Sequence, residues 1–385
     1  MVPTPLVIAC IETTAGLSSL AREWEGLFAS TGSHLPFWTF EWAETWWKHF
    51  QRNRLSVRDA PRVYALRDAS GALVAVAPMM LTERPAVGLL RARSLQFFGA
   101  DPNITELKGV ICAGADAERV HRSLLQHFEE RESEWDWLEW GSLNEHCSHL
   151  FIERTDVQGK REVPAYLLAL PGSWDELRQG LKRNLRESLR KCYNSLKRDG
   201  HGFAFQVARE PEQVSTVLAD LFRLHSARSS LAGTVAHPDV FATAHSRRFL
   251  QELCERLARR GNWRAFTLRI AGQVVAVRLG FQFGDALYLY YSGFDPAWGK
   301  YSVMTTTVAE AIKHSIAHGI RTVNLSTGND VSKTRWGPTE VTYLDVTLCP
   351  PRVRSQLARR AYRYGFEMRN YPALQNWVGS RPSKR

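Results

Sequence analysis

Several features are scarce in this chain of 385 residues, and each absence removes a class of protein. No run approaches the roughly 20 consecutive apolar residues that cross a bilayer, so no membrane-spanning helix is expected. The opening MVPTPLVIACIETT has neither a charged start nor a long apolar run, which predicts no signal peptide and a cytoplasmic protein. The six cysteines stand at 10, 112, 147, 192, 254 and 349 and form no CxxC, so they read as small buried hydrophobes rather than a redox pair. The stretch His146-Cys147-Ser148-His149 fits no zinc spacing and has no second ligand pair nearby, so no metal is expected. Acidic residues are short of basic ones, 39 against 50, a net charge of +11. The deficit is local. Residues 352–385 carry nine basic side chains and one acid, Glu367, so the tail supplies +8 of that charge.

Tryptophan, by contrast, is plentiful, with thirteen in the chain and clusters at WTFEWAETWW (38–47) and EWDWLEW (134–140). Such runs predict core or domain-interface packing. Hydrophobic residues at 44% and charged residues at 23% describe a globular chain, and its length points to two domains.

The sequence carries a duplication. YALRDASGALVAVAP (64–78) and FTLRIAGQVVAVRL (266–279) are both strand, Gly turn, strand, with Leu-Arg before the turn and Val-Ala-Val after it. FFGADP (97–102) answers YSGFDP (291–296), and each leads to an amphipathic helix, 116–133 and 302–318. A strand follows each helix, WDWLEWGSL (135–143) and RTVNLSTGN (321–329). Four elements in one order predict two copies of one fold. The first copy opens with strand 6–11 and helices 17–29 and 38–50, and ends with strand 162–170. The second opens with helix 173–199, stopped by Gly200 and Gly202, then strand 203–208 and helices 211–229 and 238–260. It closes with strand 341–348. The expected class is α/β (α+β), with a mixed sheet flanked by helices in each half. The expected domains are 1–170, a non-catalytic structural or acceptor half, 171–349, the catalytic half, and 350–385, a basic helical tail.

The unit strand 286–293, loop 294–301, helix 302–318 has the chemistry of a phosphate and thioester site. A helix N-terminus offers unpaired N–H groups to a diphosphate. Here Ser302 is the expected N-cap and, with Val303 and Met304, an expected donor-binding residue, with Gly299 allowing close approach and Lys300 adding charge. Tyr291, Ser292 and Gly293 end the strand and offer an N–H to a thioester oxygen. The first half has Asn103-Ile104-Thr105-Glu106 at the equivalent place, so only the second half is expected to bind such a ligand.

Read together, PFWTFEWAETWW (36–47), FFGADP, LKRNLRESLRK (181–191), LFRLHSARSSLAG (221–233), YYSGFDPAWGKYS (290–302) and NDVSKTRW (329–336) resemble the GNAT superfamily of acyltransferases. The branch is the CelD/BcsL-like acetyltransferases linked to cellulose and exopolysaccharide synthesis, itself distantly similar to Fem-type aminoacyltransferases with two GNAT-like halves. The resemblance covers nearly all of 20–349. It implies two tandem GNAT-like domains and an acyl-CoA donor, acetyl-CoA or longer, serving an amine or hydroxyl of a sugar or related glycan acceptor. Two positions depart from the family. Asn324 stands where Asp is usual, and Ser332 precedes the Lys of the last motif where Tyr is usual.

The resemblance raises His225 as a general base, against the plainer reading of a hydrogen-bonded helix histidine. Arg228 lies one turn on and would orient an acceptor or a carboxylate. Asp295 reads as a base or as the brace of an Asp-Pro turn. Tyr301 reads as an acid for the departing thiolate or as packing. Lys333 would reach donor phosphates, and Arg335 and Trp336 the acceptor, against a solvated basic loop. Helix 181–198 is basic, which admits nucleic acid, although a solvated face is the commoner cause. The tail helix, with Tyr362, Tyr364, Phe366, Tyr371 and Trp377, admits peripheral contact with an anionic inner membrane face. Two alternatives to an acyl-CoA enzyme stand beside it, a Fem-type transferase using aminoacyl-tRNA and a non-catalytic scaffold in polysaccharide synthesis.

Overall fold

A computed structural model describes residues 5–86, 91–101, 103–230 and 238–370, with side chains described to 364. The first half runs β1 (Val7–Ile11), α1 (Thr14–Ser19), α2 (Ala21–Ser30), α3 (Phe40–Phe50), β2 (Asn53–Arg54), β3 (Val57–Arg67), β4 (Leu73–Pro85), β5 (Arg91–Phe97), β6 (Ile111–Cys112), α4 (Ala117–Glu129), β7 (Trp137–Leu143), α5 (Glu145–Ile152) and β8 (Val157–Ala169). The second runs α6 (Trp174–Gly180), α7 (Arg183–Arg198), β9 (Phe203–Ala208), α8 (Val214–Ser229), α9 (Ala244–Arg259), β10 (Trp263–Ile270), β11 (Gln273–Phe283), β12 (Ala286–Phe294), α10 (Val303–Ala317), β13 (Thr322–Thr327), α11 (Val331–Thr334), β14 (Thr339–Leu348) and α12 (Val353–Asn370).

The duplication is visible in the pairing. Each half has an antiparallel hairpin, β3–β4 and β10–β11, followed by a third antiparallel strand, β5 and β12. Each third strand then pairs in parallel with the strand after its helix, β5 with β7 and β12 with β13. The β10–β11 turn is tight because Ala271 and Gly272 both take positive φ, 50° and 78°, which matches the strand twist.

The two mixed sheets do not stand apart, one in each half. They join into one sheet of fourteen strands, twelve of them in the order β1-β3-β4-β5-β7-β14-β8-β13-β12-β11-β10-β9, with β2 beside β3 and β6 beside β4. The closing strands are exchanged. β8, from the first half, lies against β13, and β14, from the second, lies against β7. β8 and β14 pair with each other along the seam, from Thr339 opposite Leu167 to Leu348 opposite Val157.

A shared core locks the halves on one face of this sheet. Thr39 caps α3 by accepting from the Trp42 N–H, and the helix then turns Trp42, Trp46 and Trp47 inward. Trp42 meets Phe249, Phe281 and Tyr290 of the second half edge-on, at 5.6, 6.4 and 5.9 Å between ring centres. Burying such a ring is worth roughly 3 kcal/mol, and each edge contact adds about 1. Polar bonds rim the contact, among them Arg256 to Glu44 at 2.6 Å and His49 to Glu252 at 2.8 Å.

The tail helix belongs to the first half in space. Arg354 pairs with Asp136 at 3.1 Å, and the Tyr362 ring lies 5.1 Å from that of Trp137. Tyr364 is exposed. The Phe366 side chain, Tyr371 and Trp377 lie outside the described residues. No helix among the described residues is long and apolar enough to cross a membrane.

Candidate functional site

In the second half the parallel pair comes apart. β12 and β13 are in register only from Ala286–Tyr288 against Thr322–Asn324. Both strands then bend. On β12 the register with β11 slips, so that Tyr290 and Tyr291 together oppose Leu279, a bulge. On β13, Ser326 takes φ 75° and Gly328 φ 90°, and the Asn324 side chain accepts from the Ser326 N–H at 2.9 Å. Asn324 therefore shapes the bend with its carbonyl oxygen, a role a carboxylate oxygen would also fill.

The gap has main-chain donors along one wall. The Asp295 N–H bonds to the Val275 oxygen at 2.9 Å, toward β11. Alternation then turns Gly293 toward β11 as well, and turns the N–H groups of Ser292 and Phe294 into the gap. Gly293 serves a different end. A Cβ there would stand 2.5 Å from the His225 nitrogen and 2.7 Å from the Leu224 carbonyl carbon, so its bareness lets α8 lie directly on β12.

Where β12 ends, Pro296–Tyr301 forms a 3-10 turn into α10. Ser302 has φ 53° and does not cap the helix with its side chain. The N–H groups of Thr305 and Thr306 bond back to the Ser302 oxygen, which leaves those of Val303 and Met304 without an intrahelical acceptor. Beside this end lies an open cavity of about 530 Å³, lined by Arg190, Lys191, Asn194 and Arg198 of α7 with Lys300 and Tyr301. The α7 end that forms this wall is fixed by Gly200, at φ 72°, and by a bond from the His201 N–H to the Leu196 oxygen.

The deep end of the gap is charged. Glu106, from the first half, accepts from Tyr288 at 2.5 Å, from Ser326 at 2.6 Å and from the Thr327 hydroxyl at 3.2 Å. Tyr290 holds the same loop through the Ile104 oxygen, at 2.5 Å. Arg278, in the middle of β11, reaches the Leu289 oxygen at 3.2 Å. Burial pulls its guanidinium down to about 10, offset in part by Glu106. Lys333 donates to the Thr327 oxygen, and burial lowers its affinity for a proton. Arg228 lies 3.5 Å from the Ser292 hydroxyl and is likewise lowered by burial. Burial pushes Asp330 up, but the Ser332 N–H and hydroxyl and the nearby cations Lys333 and Arg228 outweigh it and hold the carboxyl below its usual range.

In the first half the space between the corresponding strands is filled. Its strands β5 and β7 also part after a short parallel stretch, Ser94–Gln96 against Trp137–Glu139. Its own chain then fills the space. The Lys108 N–H bonds to the Ser142 hydroxyl at 2.9 Å, and a Cβ on Gly141 would stand 2.2 Å from the Lys108 oxygen.

No curated protein matches the chain in sequence. In structure it is similar to FemX, with a TM-score of 0.56 at 11% identity, over 88% of this chain and 96% of that one. A conserved protein of unknown function from Bacteroides thetaiotaomicron aligns with a TM-score of 0.50 at 11% identity, over 88% and 99%. Residues 183–334 match the family described as Acetyltransferase (GNAT) domain. That span lies wholly in the second half. The matched span opens on α7 and closes on α11, so it contains both the gap and the α10 helix end.

The residues singled out in the sequence fall into three places. Ser292 and Lys333 line the gap, with Arg228 at its edge. Gly299, Lys300, Ser302, Val303 and Met304 form the helix end. The rest hold structure. Asp295 accepts from the Ala297 N–H at 3.0 Å and caps the 3-10 turn. Asp101 does the same in the first half, taking the Ile104 and Thr105 N–H groups. Tyr301 is buried and donates to Asp199 at 2.9 Å, and that carboxyl is held down to about 2 by bonds from Arg198 and Tyr301. Tyr291 is bonded to the Asn103 oxygen. Trp336 is 3% exposed and packs in the core under α10, while Arg335 is half-buried at the end of α11. His225, 5% exposed, turns Nδ1 to the Ser292 oxygen at 2.9 Å, between Phe241 and Tyr291. Its ring pins β12 at the bulge.

Glu106, Arg278 and Ser326 escaped the sequence reading. Arg278 had a signal, a charge inside the apolar run VVAVRLGF (274–281). Glu106 had none, because it reaches the gap from the other half. Among the described residues no group of three His, Cys, Asp or Glu is placed to hold a metal ion. Cys147 is buried on α5 with its thiol toward Asn144, and His149 is exposed.

Proposed function

We propose that this protein transfers an acyl group from a coenzyme A thioester to an amine or hydroxyl of a sugar or polysaccharide precursor, at the gap between β12 and β13. The observation that carries the reading is the parting of those strands directly upstream of an α-helix with unpaired N–H groups, inside the span that matches a GNAT domain. The pantetheine arm would lie along β12, bonded by the Ser292 and Phe294 amides. The diphosphate would meet the Val303 and Met304 amides and Lys300, and the nucleotide the basic wall of α7.

In this scheme residues 171–349 bind the donor and 1–170 supply Glu106. The acceptor nitrogen or oxygen attacks the thioester carbonyl carbon, and the C–S bond breaks to release the coenzyme A thiolate. Glu106 is the carboxylate positioned to take the acceptor proton. An amide from β12 stabilises the oxyanion.

Incubating purified protein with a panel of acyl-CoAs and amino- or hydroxy-sugars, and following free thiol, tests the reading. Acceptor-dependent thiol release is expected. No release, together with no calorimetric binding of coenzyme A, would remove it.

The exposed cations of α7 favour a second reading in which aminoacyl-tRNA is the donor. A gel shift with bulk tRNA across a salt series separates the two, since a phosphate-tracking surface loses affinity steeply with salt.

A further inference from the structure

The charges at the deep end of the gap are not paired with one another. Arg278 is half-buried on its strand, and its Nε is buried with no partner among the described residues. Its recorded bond goes to a neutral carbonyl, that of Leu289. Lys333 bonds to the carbonyls of Thr327 and Gly328, the latter at 3.5 Å. Among the described residues neither cation has a carboxylate oxygen within the 4.0 Å of a salt bridge. The two acids close by are engaged elsewhere. Glu106 is held by Tyr288, Ser326 and Thr327, and Asp330 caps α11 through the Ser332 N–H at 2.8 Å.

A buried cationic N–H without an acceptor is costly, and a ligand that accepts from it removes that cost. Two cations without a carboxylate of their own, one of them a guanidinium with a buried N–H to give, form a pair that receives a carboxylate.

We propose that the gap binds a carboxylate group, carried by the acceptor or by the far end of the acyl chain, with Arg278 and Lys333 as its binding residues. This rests on reading the gap as the acyl-transfer site. Three calorimetric comparisons on the full chain test it. The donor comparison sets succinyl-CoA against butyryl-CoA. The acceptor comparison sets glucuronic acid against glucose with coenzyme A present. The third sets sodium succinate against succinamide and needs no thioester.

At least one pair is expected to show a tenfold or greater preference for the carboxylate member. Arg278→Met should abolish that preference, and Arg278→Lys should keep part of it. The wild-type comparisons stand even where Arg278→Met fails to fold. Equal affinity within every pair overturns the proposal. Coenzyme A titrated alone reports separately on the underlying reading. Succinate preference without coenzyme A binding leaves the carboxylate site intact and removes the thioester.

Discussion

Two glycines of the second half, six residues apart, have opposite duties. Gly293 faces backbone that cannot yield, so Gly293→Ala should lift α8 off β12 and cost about 3 kcal/mol in urea unfolding. Gly299 has nothing within 4 Å of an added Cβ. Gly299→Ala should leave stability within about 0.5 kcal/mol and weaken coenzyme A binding, if backbone there approaches the diphosphate. Equal stability losses at both positions would contradict the geometry. A histidine sets a pH dependence at the same scale. Burial in the first-half core against Trp140 and Phe151 lowers His121 to about 4 from an ordinary 6.5. The unfolded chain then takes up a proton below 6.5 that the folded chain refuses until about 4. The stabilising effect is complete above pH 6.5 and is lost as the pH falls toward 4. Urea unfolding at pH 7 and pH 4.5 should differ by about 2–3 kcal/mol from this group, and His121→Leu should remove that share.

At the scale of elements, α7 decides how the nucleotide is held. Its apolar stripe, Leu185, Leu189, Cys192 and Leu196, is buried, which leaves Arg190, Lys191 and Arg198 on the cavity side. Arg190→Glu with Arg198→Glu should weaken coenzyme A binding by about tenfold and dephospho-coenzyme A binding by less, with unchanged melting. Equal losses for both ligands would move the terminal phosphate away from α7. Most such elements were legible in the sequence, because local periodicity and caps determine them. The hairpins, α3, α10 and β13 lie within a few residues of where alternation, helical spacing and Gly turns put them. The single helix expected over 173–199 is two. Leu181 and Lys182 are extended, with ψ 146° and 144°, and the apolar side chains on both sides follow one helical pattern that hides the break. The site was legible only where it is local. The helix end at 302–304 announces itself through Gly, Lys and Ser beside a strand. Glu106 does not, since its place depends on Tyr288 and Tyr290 reaching it across a distance in sequence that no motif spans.

At the scale of the molecule, the exchange of β8 and β14 makes the two halves one folding unit, although the chain repeats itself. A cut after residue 170 strands β8 in the first fragment without either neighbour, β13 or β14, and bares the edge of β7. The second fragment loses the partner of β13 and keeps β14 with nothing to pair. Such long unpaired edges aggregate. The tryptophan face of α3 and its partners on α9 would be uncovered by the same cut. Fragments 1–170 and 171–385 produced separately should therefore be insoluble or fail to unfold cooperatively. Produced together they should co-purify as one complex and regain whatever thioester activity the intact chain shows. The second fragment contains the whole matched GNAT span, so a scheme in which that span alone is sufficient predicts a soluble, active fragment. That result would contradict the role of the exchanged strands, and thiol release by the fragment alone would also dismiss Glu106 as the base, because the fragment does not contain it.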